Sequence, residues 1–115
     1  MAVLIFTRTA GPALVFDLHG ALDNAGAEKL EPRVVEALDA GHKLLIFDLS
    51  RLSYISSAGL SVFLAAYRRL QGAGSVRFAG LSEDARRVFN ITGLTARLEL
   101  YNTVDDALVG PLPDK

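Results

Sequence analysis

Hydrophobic and polar positions change period along the chain, and the sharpest change falls near its middle. Leu44-Leu45-Ile46-Phe47-Asp48-Leu49 is dominated by branched and aromatic side chains and bounded by polar residues, which predicts a buried strand. From Ala58 onward the period becomes helical. Ala58, Phe63, Tyr67 and Leu70 form one stripe, with Arg68 and Arg69 on the outer side. Between the two lies Tyr54-Ile55-Ser56-Ser57-Ala58-Gly59-Leu60, a loop that becomes a helix. Ser56 and Ser57 fall where that helix starts, the position at which a hydroxyl best caps free backbone N–H groups and an anion is best tolerated. A hydroxyl there can be a cap, a nucleophile or a phosphate acceptor.

The same reading runs along the rest of the chain. Val3–Arg8 is a short apolar run and Thr9-Ala10-Gly11-Pro12 a turn by composition. Leu14, Phe16 and Leu18 alternate with Val15, Asp17 and His19, so the two runs predict an opening hairpin. Gly20-Ala21-Leu22-Asp23-Asn24 is expected to leave the sheet, with Asp23 or Asn24 capping a helix whose stripe is Ala27, Leu30, Val34 and Leu38, ending near Gly41. Pro32 falls inside that stretch and either kinks the helix or marks the first turn of a shorter one. Ser75–Ala79 reads as a strand and Ser82-Glu83-Asp84 as the start of a short helix carrying Val88, Phe89 and Ile91, stopped at Gly93. Arg97–Tyr101 alternates like a strand, and Thr103-Val104-Asp105-Asp106 opens a last helix closed by Gly110-Pro111. The order β-β-α-β-α-β-α-β-α predicts one α/β domain over residues 1–110: a mixed, mostly parallel sheet of about five strands, an N-terminal edge hairpin and about four helices, with residues 111–115 as a tail.

Composition narrows the chemistry. At 115 residues the chain suits one domain with a proper core, and half of it is hydrophobic. A formal net charge of −1 gives no electrostatic case for nucleic acid or an anionic membrane. The chain has no cysteine, which excludes disulfides, zinc–thiolate sites and thiol catalysis. No apolar run approaches the ~20 residues needed to cross a bilayer, and no basic flank precedes the first one, so a soluble cytoplasmic protein is expected.

Each chemical motif also has a plainer structural role. Ser57-Ala58-Gly59 matches the second half of a G-x-S-x-G elbow, but Ile55 stands at the first glycine, and both histidines, His19 and His42, precede the serine. Asp48 ends an apolar run like a receiver-domain phosphoacceptor, yet the first strand ends in Arg8-Thr9-Ala10, with no acidic pair to hold a cation. Gly72-Ala73-Gly74 has neither the spacing nor the lysine of a phosphate loop. No cofactor, metal or catalytic residue is therefore expected, and Phe47, Phe63, Tyr67 and Phe89 read as core. Gly59 stands out, because glycine inside a helix costs about 1 kcal/mol against alanine and suggests a close approach.

At Ser56-Ser57-Ala58-Gly59-Leu60 the chain resembles the STAS domains, specifically the stand-alone anti-sigma factor antagonists of bacterial partner-switching systems. The resemblance extends to Gly20-Ala21-Leu22-Asp23, Asp48-Leu49-Ser50, and Phe89 followed by Gly93-Leu94. Members often carry Asp-Ser-Ser/Thr-Gly-Leu, with the serine after the aspartate phosphorylated. On this chain that serine is Ser57, Ser56 takes the place of the aspartate, and Ala58 that of the second hydroxyl residue. The resemblance implies a binding switch, not an enzyme. Asp23, Ser56, Ser57, Ala58, Gly59 and Leu60 would contact an anti-sigma factor that is itself a serine kinase, and a PP2C-type phosphatase would reverse phosphorylation of Ser57. It implies no direct contact with nucleic acid or membrane, and a monomer is expected. Two other outcomes are open: a STAS module without the switch in a sensory or lipid-transport complex, and a switch with a non-sigma output.

Overall fold

Two apolar runs joined by Gly11-Pro12 fold back on each other. They form β1 (Leu4–Ala10) and β2 (Ala13–Leu22), antiparallel from Leu4 opposite His19 to Ala10 opposite Ala13. The computed structural model describes residues 2–91 and 98–110; the side chains of Val88 and Ile91 lie outside the description. The expected stop at Gly93, the Gly93-Leu94 motif, the strand start at Arg97 and the segment 111–115 also fall outside the described residues.

After the hairpin, helices and parallel strands alternate as expected: α1 (Asn24–Asp39), β3 (Leu44–Ile55), α2 (Ser57–Leu70), β4 (Ser75–Ala79), α3 (Glu83–Ile91), β5 (Glu99–Tyr101) and α4 (Val104–Val109). The strands lie side by side in chain order, with β2, β3, β4 and β5 mutually parallel. Helices connect each parallel pair, as such crossovers require. The N-terminal ends of α1, α2 and α3 therefore gather at one edge of the sheet, where the parallel strands end.

Both faces of the sheet are covered, unequally. Phe16, Leu18, Leu45, Phe47 and Leu49 point toward α1 and α2 and meet Leu30, Val34, Leu60 and Phe63. Phe47 lies at the centre of an aromatic cluster, with ring centroids 5.1 Å from Phe16, 4.9 Å from Phe63 and 5.4 Å from Phe78. Phe89 of α3 closes the cluster against Phe78 at 5.7 Å. On the other face the short α4 packs Ala107, flanked by Val104 and Leu108, against Ala13, Val15, Leu44 and Ile46.

Two expectations need correction. The organising strand does not stop at Leu49; β3 continues to Ile55 by pairing with β2, which likewise stays in the sheet to Leu22. The extension carries register shifts between Asp17 and His19 and between Gly20 and Ala21, and Gly20 takes φ +96°. Such irregularities erase the two-residue alternation by which a strand is recognised. α1 is a single helix through Pro32, starting at Asn24 behind the Asp23 cap.

Candidate functional site

Two helix starts are tied together where β2 and β3 end. The Asp23 carboxylate caps α1, its Oδ1 accepting the Gly26 N–H at 2.8 Å. The Ser56 hydroxyl caps α2 by accepting the Gly59 N–H at 3.1 Å. The Ser56 N–H in turn donates to the Leu22 carbonyl at 2.8 Å, so the residues before and at the two caps form one hydrogen-bonded unit. Both cap residues adopt extended backbone, which aims their side-chain oxygens at the free N–H groups of the first turn.

The adjacent serines have different jobs. Ser56 is buried at 7% exposure and holds the helix start. Ser57, the first residue of α2, is exposed, and among the described residues its hydroxyl has no hydrogen-bond partner. Its carbonyl accepts the Ser61 hydroxyl at 3.1 Å, one turn on. The hydroxyl can thus be modified without removing a cap. No acidic residue lies in the first turn of α2, so the partial positive charge of the helix start is not already neutralised there.

The expected contact residues do not all reach the surface. Asp23 and Ala58 are partly exposed beside Ser57, whereas Gly59 and Leu60 point inward. Gly59 lies against Leu22, and Leu60 joins the core. The close approach suspected at Gly59 is real, and it is made by this chain's own strand.

Tyr54 was missed as a candidate. At 56% exposure it is a large aromatic side chain standing in solvent three residues before Ser57. It borders a cleft of about 190 Å³ lined by Leu52, Ser53, Ser82 and Asp84. A second groove, about 560 Å³, runs between α1 and α2 from Asn24 and Ala58 past Glu28, Glu31 and Ser61. The signal for Tyr54 was its place on the polar side of a strand that alternation alone did not extend so far.

The arrangement does not support serine hydrolysis. His42 follows α1, at the opposite end of β3 from Ser57. His19 lies on the face away from α2, against Phe6 at 5.0 Å between ring centroids. Its Nε2 comes within 3.1 Å of Asp17 Oδ1, but not in hydrogen-bond geometry. Asp48 is not at a strand end; its Oδ1 accepts the Ser50 N–H at 3.1 Å and the Ser50 hydroxyl at 2.8 Å. Among the described residues no group of three His, Asp or Glu side chains is arranged to hold a metal ion. No described helix is long and apolar enough to cross a membrane.

A separate polar cluster holds α4 to the sheet. Arg77, 1% exposed in β4, donates through Nε to Glu99 Oε1 at 2.9 Å and through Nη1 to the Ala107 carbonyl at 2.7 Å. The Ser75 hydroxyl donates to Glu99 Oε2 at 2.7 Å, and the Arg77 guanidinium lies 5.8 Å from the centre of the Tyr101 ring. Burial pushes the Tyr101 phenol above its ordinary value of 10.0; nearby Arg77 works against this, while the Glu99 carboxylate adds to it.

Known proteins resemble this chain in sequence and in fold. The sequence profile of the STAS domain matches residues 5–107. BtrV of Bordetella bronchiseptica, provisionally named an anti-sigma factor antagonist, is 36% identical over 82% of both chains. The anti-sigma-F factor antagonist RsfB of Mycobacterium tuberculosis is 29% identical over 84% of this chain and 79% of its own. Among solved structures, an anti-sigma factor antagonist from Mycobacterium paratuberculosis superposes with a TM-score of 0.87 at 26% identity, covering 93% of this chain and 92% of its own. The unphosphorylated form of SpoIIAA superposes at 0.76 with 23% identity, over 91% and 94% of the two chains, a likeness of fold. This chain belongs to the STAS domain family.

Proposed function

We propose that this STAS-domain chain is an anti-sigma factor antagonist that works as a phosphorylation-controlled partner switch. With Ser57 unmodified it docks on an anti-sigma factor that is also a serine kinase, releasing the sigma factor. Transfer of a phosphoryl group from ATP to the Ser57 hydroxyl ends the docking, and a PP2C-type phosphatase hydrolyses the phosphoserine to restore it. The protein is the substrate in this cycle and acts by binding rather than catalysis. A sigma factor as the ultimate target makes the cytoplasm its place of action.

One observation carries the reading: Ser57 is an exposed, uncommitted hydroxyl at a helix start whose capping is done by its buried neighbour. The names of the relatives support the anti-sigma partner. The physics supports the release. A phosphate brings about −1.5 to −2 charge at pH 7, which the helix start can accept without unfolding the domain. A partner packed on Ala58 and Asp23 would have to desolvate that charge, which opposes docking. Ser56 keeps the cap with no charge where the family often has aspartate, so it places no carboxylate next to the phosphate.

The test is to incubate wild type and Ser57→Ala with native lysate and Mg-ATP, then map phosphopeptides by mass spectrometry. Phosphate on Ser57 in wild type and an unmodified Ser57→Ala chain supports the switch. An unmodified wild-type Ser57 overturns the phosphorylation step.

A further inference from the structure

Among the described residues five large apolar side chains stand well exposed, and two of them, Leu4 and Phe6, share one strand and one face. Among the described residues that strand, β1, pairs only with β2, so its outer edge presents a row of backbone groups unpaired by any described residue. Its pairing runs from Leu4 to Ala10 without a register shift, so no bulge turns the edge away. Phe6 rests on His19 along its own sheet and is open on the outer side. Arg8, two residues on and on the same face, has neither an ion pair nor a hydrogen bond among the described residues.

We propose that β1 is the seam of a two-fold dimer, its occupant being β1 of a second copy of this chain, paired antiparallel about Thr7. Residues facing each other across such a seam must share a face of the sheet, so the allowed registers differ in steps of two residues. Centring on Thr7 pairs the whole strand with itself; moving the centre to Phe6 or Arg8 loses pairs at one end, and the second sets Arg8 against Arg8. In the Thr7 register Leu4 faces Ala10 of the second copy, Ile5 faces Thr9, and Phe6 faces Arg8, twice over. Each Arg8 cation thus meets the open side of a Phe6 ring, a favourable cation–π pairing that supplies Arg8 with the partner it lacks among the described residues. A two-fold interface has this self-complementarity by construction. The seam lies two strands from β3 and α2, so one dimer presents two open Ser57 sites. This departs from the monomer expected from the sequence and goes beyond the switch itself.

The test is sedimentation equilibrium of the full chain from about 10 μM to 1 mM, a range that captures weak, reversible association. Wild type should dimerise reversibly. Phe6→Lys, which sets Lys against Arg8, should be monomeric while keeping its circular dichroism. Phe6→Lys/Arg8→Glu should recover the dimer, and Arg8→Ala should dimerise several-fold more weakly. Because the chain has no cysteine, Thr7→Cys provides an independent probe and should oxidise to a covalent dimer, whereas Thr9→Cys, opposite Ile5, should not. A wild-type monomer over the whole range, a dimer indifferent to Phe6→Lys, or tighter association of Arg8→Ala would overturn the proposal. The last result would make Arg8 the charge that keeps this edge clear.

Discussion

Leu22 occupies the space that a side chain on Gly59 would need: a Cβ there would lie 2.7 Å from Leu22 Cδ2 and 3.3 Å from the Leu22 carbonyl oxygen. The end of β2 and the first turn of α2 thus meet backbone to side chain, and the same Leu22 carbonyl accepts the Ser56 N–H. The position of Ser57 is set by this junction.

Gly59→Ala is therefore expected to destabilise the domain. Alanine would gain up to about 1 kcal/mol of helix propensity. Overpacking against a fully buried Leu22 costs about 1–3 kcal/mol and decides the sign. Chemical denaturation of the variant should show a lowered midpoint with an unchanged slope.

The two serines should separate cleanly by stability. Ser56→Ala loses the α2 cap and should cost about 0.5–2 kcal/mol. Ser57→Ala, at an exposed position whose hydroxyl has no hydrogen bond among the described residues, should stay within about 0.5 kcal/mol of wild type. Ser56→Asp keeps a capping oxygen and should retain most of the stability. Thermal unfolding of the three variants makes the comparison.

Glu99→Ala should be unusually costly for a side chain that is 47% exposed. It leaves the buried Arg77 guanidinium short of its counter-charge, and a loss of about 3 kcal/mol is expected. Denaturant titration of Glu99→Ala beside Asp84→Ala, which breaks only the exposed pair with Arg87, gives the contrast.

Alkaline pH should weaken the same corner. The Tyr101 phenol is raised in the folded chain, chiefly by burial, so the unfolded chain loses its proton first. The stabilisation is fully present below the unfolded value of 10.0 and is lost as pH rises through the folded value. Unfolding midpoints measured between about pH 8 and pH 11 should fall less steeply for Tyr101→Phe than for wild type.

The element order, the hairpin, the aromatic core and the Ser56-Ser57 helix start were legible because periodicity and capping chemistry are local. The extension of β3 to Ile55 was not, since two register shifts break the alternation that marks a strand. The division of labour between Ser56 and Ser57 depends on which hydroxyl faces Gly59, and a sequence places both equally near. The inward turn of Gly59 and Leu60 follows from Leu22, more than thirty residues away in the chain. The Arg77–Glu99 cluster was hidden for the same reason: an arginine in a short strand declares itself only when its distant partner is seen.

The account depends most on the exposed Ser57 hydroxyl governing partner binding. The direct measurement is calorimetric titration of the purified anti-sigma kinase with wild type, Ser57→Ala and Ser57→Asp. Wild type and Ser57→Ala should bind alike, and Ser57→Asp at least tenfold more weakly, about 1.4 kcal/mol, with its unfolding midpoint preserved. Equal affinity of wild type and enzymatically phosphorylated chain would contradict the switch.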